Sequence, residues 1–308
     1  MEFGGLLEAT IRITVPILLA TLGEMIAERS GVLNIGLEGM MLTGAFAAFV
    51  GSWLTGDPWI GLALAVVTAM ALAAVFSLFV VRWALDPIVT GVAINVLALG
   101  ATGVLFRALT TDTGTVLVAS FPEWPLGNLA RIPGIGPALF SQNGVGYAAF
   151  ALAPLVMVAL RFTSPGLLVR AAGENPDAVE AAGGRAAVVR LLATLVGGAF
   201  AGAAGAYLSI GYSDTFVENM TAGRGFVALA IVVFARWSPL LAVPAALTFG
   251  LAMALQVRLQ GHVGPGGGVP YQFFQMLPYV LTLVVLAIVP RGVAGAPAAL
   301  ARPWRRSR

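Results

Sequence analysis

Four polar side chains and one aromatic stand where an apolar chain has least use for them. Asn34 and Glu38 lie within or beside one long apolar run, and Asn95 lies inside another. Asn219 precedes a short apolar run that carries Phe226. A carboxylate at the centre of a bilayer costs about 2.5–3.5 kcal/mol on insertion scales, so it faces a bundle interior or a water-filled path. Glu38 therefore reads either as a pathway or gating residue or as a hydrogen-bonding partner of a neighbouring helix. Asn34 and Asn95 offer amides to a polar solute, or glue between helices; for Asn95 the glue reading is favoured. Phe226 and Trp237 can stack on a ring, although aromatics in such segments more often face lipid or core. Glu24 and Glu28 have a simple local explanation, pairing with Arg29. The candidate solute-pathway set is Asn34, Glu38, Asn95, Asn219 and Phe226.

Chemistry of other kinds is poorly supplied. The 308 residues include no cysteine and one histidine, His262, so thiolate metal sites, disulfides and HExxH motifs are absent. All 17 basic residues are arginine. Without lysine there is no GK[ST] phosphate loop, so ATP used by this protein must be hydrolysed on another chain. No nucleophile–base pair or metal set is evident; an intramembrane enzyme relying on carboxylates alone is unsupported. No catalytic residue, metal or cofactor is expected.

The elements that must position these residues are membrane helices. The chain is 59% hydrophobic and 10% charged, where a soluble domain carries about 25% charge. With a mean hydropathy of +0.93, it reads as all-α: a polytopic bundle of eight or nine membrane segments in one domain, 1–308. The start, MEFGGLLEAT, lacks the basic region of a signal peptide, so the first span, about 11–27, is expected to stay. Glycines and polar residues over 23–41 predict a broken helix, which at membrane depth must line a cavity or be buried in protein. The apolar run 225–235 is too short to cross as an ordinary helix. Residues 213–236 therefore read as a re-entrant or half-helix segment. These two interrupted segments sit in opposite halves of the chain, as expected of a path built from broken helices. Gly197, Gly198, Gly202 and Gly205 permit close helix packing, here within one subunit.

Residues 161–190 form the long polar interruption, with Arg161, Arg170, Arg185 and Arg190 among three acids. Ser164-Pro165 reads as a cap and first helical residue, and Gly173 as the stop. Asn175-Pro176 repeats the start, and Gly183-Gly184 the stop. Two short helices make this either a docking surface or a solvated connector. With the N-terminus outside and alternating spans, twelve arginines fall inside and five outside, Arg224 among the latter. That bias places 161–190 and the tail 290–308 in the cytosol, and the loop 107–142 outside. Membrane orientation explains the sequence pI near 9.8 better than nucleic-acid binding does. Trp53, Trp59 and Trp124 fit an interfacial belt.

The segments 23–46, GEMIAERSGVLNIGLEGMMLTGAF, and 170–183, RAAGENPDAVEAAG, resemble inner-membrane permease subunits of bacterial ABC importers. The group is the one shared by ribose-type sugar and branched-chain amino-acid permeases. RGFVALAIVVFARWSP at 224–239 also fits, and the likeness covers nearly the whole chain. SGVLNIGLEGMM is closer to the nucleoside-type subgroup, whose binding proteins resemble basic membrane lipoproteins. The resemblance implies an ABC ATPase subunit as partner, a second permease that is a paralogue, an extracytoplasmic substrate-binding lipoprotein, and a multi-pass location in the bacterial inner membrane. It also places the ATPase-coupling helix at Gly173, Glu174, Asn175, Pro176, Asp177 and Ala178. The loop 107–142 and the glycine loop near His262 become candidate contacts for the binding protein. Two other readings stay open: a secondary transporter or channel that uses Glu38 without an ATPase, and an importer of ribose-like sugars.

Overall fold

The computed structural model describes residues 3–111, 116–132, 134–262, 272–288 and 295–304. Among them there are helices and turns and no strand, only an isolated bridge between Glu123 and Asn143. The first helix, α1 (Phe3–Arg29), begins well before the expected first span and absorbs Pro16 without stopping. After a break come α2 (Leu37–Thr55), α3 (Pro58–Ser77), which runs on through a wider turn Leu78–Arg82, and α4 (Pro87–Thr110). Asp57 and Asp86 cap α3 and α4, each with its carboxylate accepting from the first backbone N–H groups and a proline next in line.

The segment 116–143 holds a single turn at Gly127–Arg131 and the short α5 (Gly136–Phe140). Then α6 (Gly144–Phe162) leads into α7 (Ser164–Glu174) and α8 (Pro176–Ala181). α9 (Ala186–Ala206) continues through a wide turn Tyr207–Tyr212. The half-helix α10 (Arg224–Phe234) is followed by α11 (Pro239–His262), α12 (Gln272–Gln275) and α13 (Leu277–Ile288).

Among the described residues, seven helices are long and apolar enough to cross a bilayer, and these alone do not reach the expected eight or nine. α10 rises about 16 Å at 1.5 Å per residue, roughly half the hydrocarbon thickness. α13 has 12 residues.

The core is built on close approach of small residues. A Cβ on Gly44 would lie 2.7 Å from the Gly202 Cα, and one on Gly205 would overlap the Met41 carbonyl oxygen. α2 and α9 can therefore touch backbone to backbone, and the small-residue row of α9 is spent inside this subunit. Two ends of the bundle are distinct. At one, Arg12 of α1 pairs with Glu123 at 3.1 Å, and Trp59 packs against Trp124. At the other, the C-terminus of α1 meets α7 and the tail 295–304.

Candidate functional site

The break after α1 is a defined stop. Gly31 has φ +93°, which favours glycine. The Val32 N–H donates to the Ala27 carbonyl at 3.2 Å and the Gly31 N–H to Glu28 at 2.8 Å, the paired bonds of a Schellman motif. The chain then turns back along α1. The Asn34 N–H donates to Glu24 Oε1 at 2.8 Å. The Asn95 side chain of α4 fixes the far side of the break: its Nδ2 donates to the Ile35 carbonyl at 2.9 Å, and its Oδ1 accepts the Gly39 N–H at 2.8 Å. Both ends of that amide are spent on backbone, as the glue reading has it. Gly23 and Gly39, expected within the broken stretch, lie inside α1 and α2. They serve as contact points against Phe200 and Asn95 instead.

Glu38, in the first turn of α2, joins this break to the second one. Its Oε1 accepts the Gly223 N–H at 2.7 Å and its Oε2 the Gly225 N–H at 2.6 Å. The first N–H groups of a helix have no partner within it, and Gly223 has no side chain to supply one. The carboxylate of α2 thus caps α10, where the positive end of the helix dipole also favours it. The turn entering α10 is tight: Asn219, Ala222 and Gly223 have φ of +57°, +46° and +83°.

Arg224, counted as outside in the arginine tally, lies between the two residues that Glu38 holds. Its Nη1 donates to the Met220 carbonyl at 2.7 Å, and its Nε is buried without a partner. Sequence reasoning missed Arg224 as a site residue; its position next to a predicted half-helix start was the available signal. Asn219 and Phe226 sit on the open face of this turn, Phe226 being 48% exposed. Beside them Arg107 grips both oxygens of Glu218 at 2.8 Å and holds that exposed carboxyl below the usual carboxylate range. Of the expected pathway residues, Asn34, Glu38 and Asn95 gather around the break. Asn34 is fully buried, with its Oδ1 unpartnered and its Nδ2 at 3.3 Å from the Met40 sulfur.

The lower ends of α1 and α10 are sewn together. Glu28 accepts from the Trp237 indole N–H at 2.5 Å, and Arg29 donates to the Trp237 carbonyl at 2.9 Å through Nη2. Glu24 and Glu28 therefore bond to Asn34 and Trp237; adjacent side chains on a helix point apart, so a pairing of Glu28 with Arg29 was geometrically poor. Trp237 is buried in this seam and has no free face for a ring.

The segment 163–183 packs directly beneath. α7 starts one residue earlier than the Ser164-Pro165 reading: Thr163 is the cap, extended at ψ 154°, and its hydroxyl accepts the Gly166 N–H at 3.2 Å. Gly173 does not stop the helix, which runs on to Glu174. It is glycine because a Cβ there would overlap the Arg29 carbonyl oxygen. Asn175 ends α7 and caps α8, its Oδ1 accepting the Ala178 N–H at 3.1 Å. Gly183, at φ +82°, closes α8 as expected. Glu174, Asn175, Asp177 and Ala178 are exposed, while Gly173 and Pro176 are buried.

The tail 295–304 binds across this surface. The Ala299 N–H donates to Gly173 at 2.9 Å, Ala298 to Glu174 Oε2 at 3.2 Å, Ala301 to Gly31 at 3.1 Å, and the Trp304 indole to Asp177 Oδ1 at 2.8 Å. Buried Arg190 lies over the Trp304 ring at 5.9 Å and donates to the Ser30 and Ala172 carbonyls at 3.1 and 3.2 Å. Of the glycine loop near His262, expected over 260–270 to touch a binding protein, 260–262 end α11 and the rest lies outside the described residues.

A model of the family described as branched-chain amino acid transport system / permease component matches residues 6–286. The chain is 39% identical over 260 residues to the putative glucose ABC transporter permease protein TsgC13 of Haloferax volcanii, covering 83% of this chain and 78% of the relative. It is 34% identical over 291 residues to the guanosine ABC transporter permease protein NupQ of Bacillus subtilis, covering 90% and 89%. With the nucleoside ABC transporter permease protein NupC of Lactococcus lactis it shares 32% identity over 281 residues, covering 89% and 88%. No solved structure matches.

Proposed function

Since this chain belongs to the family of branched-chain amino acid transport system / permease components, we propose that it is the membrane permease subunit of an ATP-binding-cassette importer for nucleosides or related heterocycle-bearing solutes. The observation that carries the coupling mechanism is the continuous contact from α7 to α10. Gly173 and Arg190 bear on residues 29–31, and Asn95 and Glu38 then fix the far side of the same break and the start of α10. Force applied at Glu174, Asn175 and Asp177 thus reaches the turn entering α10 through the packing at Gly173 and bonds between side chains and backbone.

In this reading an ATPase subunit docks on α7 and α8 in the cytosol, where the tail also lies. ATP-driven closure of the motor favours one arrangement of the two breaks over the other. Only that difference in free energy moves the solute path. The open face bearing Asn219, Phe226 and the Arg107–Glu218 pair meets a second permease, a paralogue, and the solute passes between them. A substrate-loaded lipoprotein delivers to the end formed by 116–143. Nucleosides are favoured by the relatives named for nucleoside and guanosine transport. A sugar is the second reading, supported by the relative named for glucose.

The test is uptake in proteoliposomes holding this chain, its ATPase, its second permease and the binding protein. ATP-dependent guanosine uptake at low concentration, not displaced by excess glucose, is expected. Bulky apolar residues at Glu174 and Asn175 should abolish uptake and leave binding to the external protein intact. Uptake by this chain alone, driven by a pH or sodium gradient, would favour a secondary transporter.

A further inference from the structure

A cavity of about 260 Å³ opens between the ends of α1, α6 and α7 and the start of α11. Three guanidinium groups line it, those of Arg29, Arg161 and Arg170, above an apolar wall of Met157, Leu160 and Trp237. They come from three different helices, so the cluster is assembled by the fold. Arg29 is fixed there by bonds to the Trp237 and Gly295 carbonyls. The Nε of Arg170 is buried with no partner, a donor waiting for an acceptor. A buried donor left unpaired is costly, and a guanidinium fork suits a phosphate. Glu174 and Glu28 act on Arg29 and offset part of the charge, whereas among the described residues neither Arg161 nor Arg170 forms an ion pair.

The surroundings are those of a membrane surface. Arg161 ends a membrane-spanning helix and lies over the Phe162 ring at 5.7 Å. Phe162 is 70% exposed, and Leu168 of α7 and Leu241 of α11 are also exposed. A soluble anion needs no such greasy border, whereas a lipid needs both parts. We propose that this cavity holds the phosphate head group of an anionic phospholipid of the cytoplasmic leaflet, with its acyl chains lying along α6 and α11. The leaflet assignment rests on the sidedness argued above. The bound lipid would brace the joint between α7 and the lower ends of α1 and α10.

The experiment is native mass spectrometry of the purified full chain titrated with phosphatidylglycerol or phosphatidylcholine. Selective retention of phosphatidylglycerol is expected. The Arg161→Gln/Arg170→Gln double variant should weaken it about 25-fold, about fivefold for each basic side chain. Should that variant misfold by circular dichroism, Arg161→Gln alone changes an exposed residue and should weaken retention about fivefold. Equal retention of phosphatidylcholine, or unchanged phosphatidylglycerol affinity in the folded variants, overturns the proposal. Displacement of the lipid by millimolar inorganic phosphate would also overturn it, in favour of a free-phosphate site. The readout is binding, so a failure here leaves the permease reading standing, and a failed uptake assay leaves the lipid site standing.

Discussion

Replacing Glu38 by alanine removes both acceptors that hold the first turn of α10. Each is a bond from a backbone N–H to a charged oxygen, at 2.7 and 2.6 Å. Hydrogen bonds to charged groups contribute about 1.5–3 kcal/mol apiece, so the pair is worth about 3–6 kcal/mol. Water entering the vacated space returns part of that, leaving a loss of about 3 kcal/mol. The loss should be local, because Gly223 offers no substitute cap and Arg224 would stay beside the uncapped turn. At about 1.4 kcal/mol per tenfold, amide exchange over 223–227 should quicken about 100-fold. Glu38→Gln keeps one acceptor and turns an NH2 toward the other donor, so its effect should fall near half that free energy. Hydrogen exchange read by mass spectrometry in nanodiscs gives the order wild type, Gln, Ala directly. If Glu38→Gln exchanged like wild type while uptake vanished, Glu38 would be acting as a titrating carboxylate and the capping argument would be wrong.

Three further outcomes follow from the same geometry. Asn95→Ala should cost about 1–3 kcal/mol, two neutral hydrogen bonds to backbone, in denaturant unfolding monitored by tryptophan fluorescence. Trp304→Ala should cost about 1 kcal/mol locally and release 295–304 to limited proteolysis, since both the Asp177 bond and the ring beneath Arg190 are lost. Glu218, held low by Arg107, lends stability that is present above its unfolded value of about 4.3 and is lost as pH falls through the lower folded value. Acid titration should therefore loosen 216–223 below about pH 4, as read by amide exchange, and Arg107→Gln should remove that dependence.

What was legible in the sequence was local. Asn175-Pro176 and Gly183 announce a helix start and a stop with no help from the rest of the chain, and α8 has those ends. The cap of α7 was read one residue late because Thr163 and Ser164 are both capping types, and backbone geometry chose between them. Glycine was ambiguous. Gly31 breaks a helix while Gly23 and Gly173 allow another segment to touch one, and the letter is the same in both uses. Partners distant in the chain were invisible. Glu28 finds Trp237 and Glu38 finds Gly223, so an explanation from neighbours misassigned Glu28 and could not supply the second half of Glu38's role. The tail was read only as positive charge, whereas its bonds to α7 and α8 come mostly from backbone N–H groups and Trp304.

Residues 295–304 follow every described membrane helix in the order of synthesis. Until they emerge from the ribosome, Asp177 lacks its indole, Gly173 lacks the Ala299 N–H, and the Gly31 carbonyl is unanswered by Ala301. On the proposed reading of α7 and α8 as the ATPase contact, a half-made permease shows that partner an unfinished seat. The surface is therefore completed last: a chain cut short before this stretch would present α7 and α8 without the bonds that brace them.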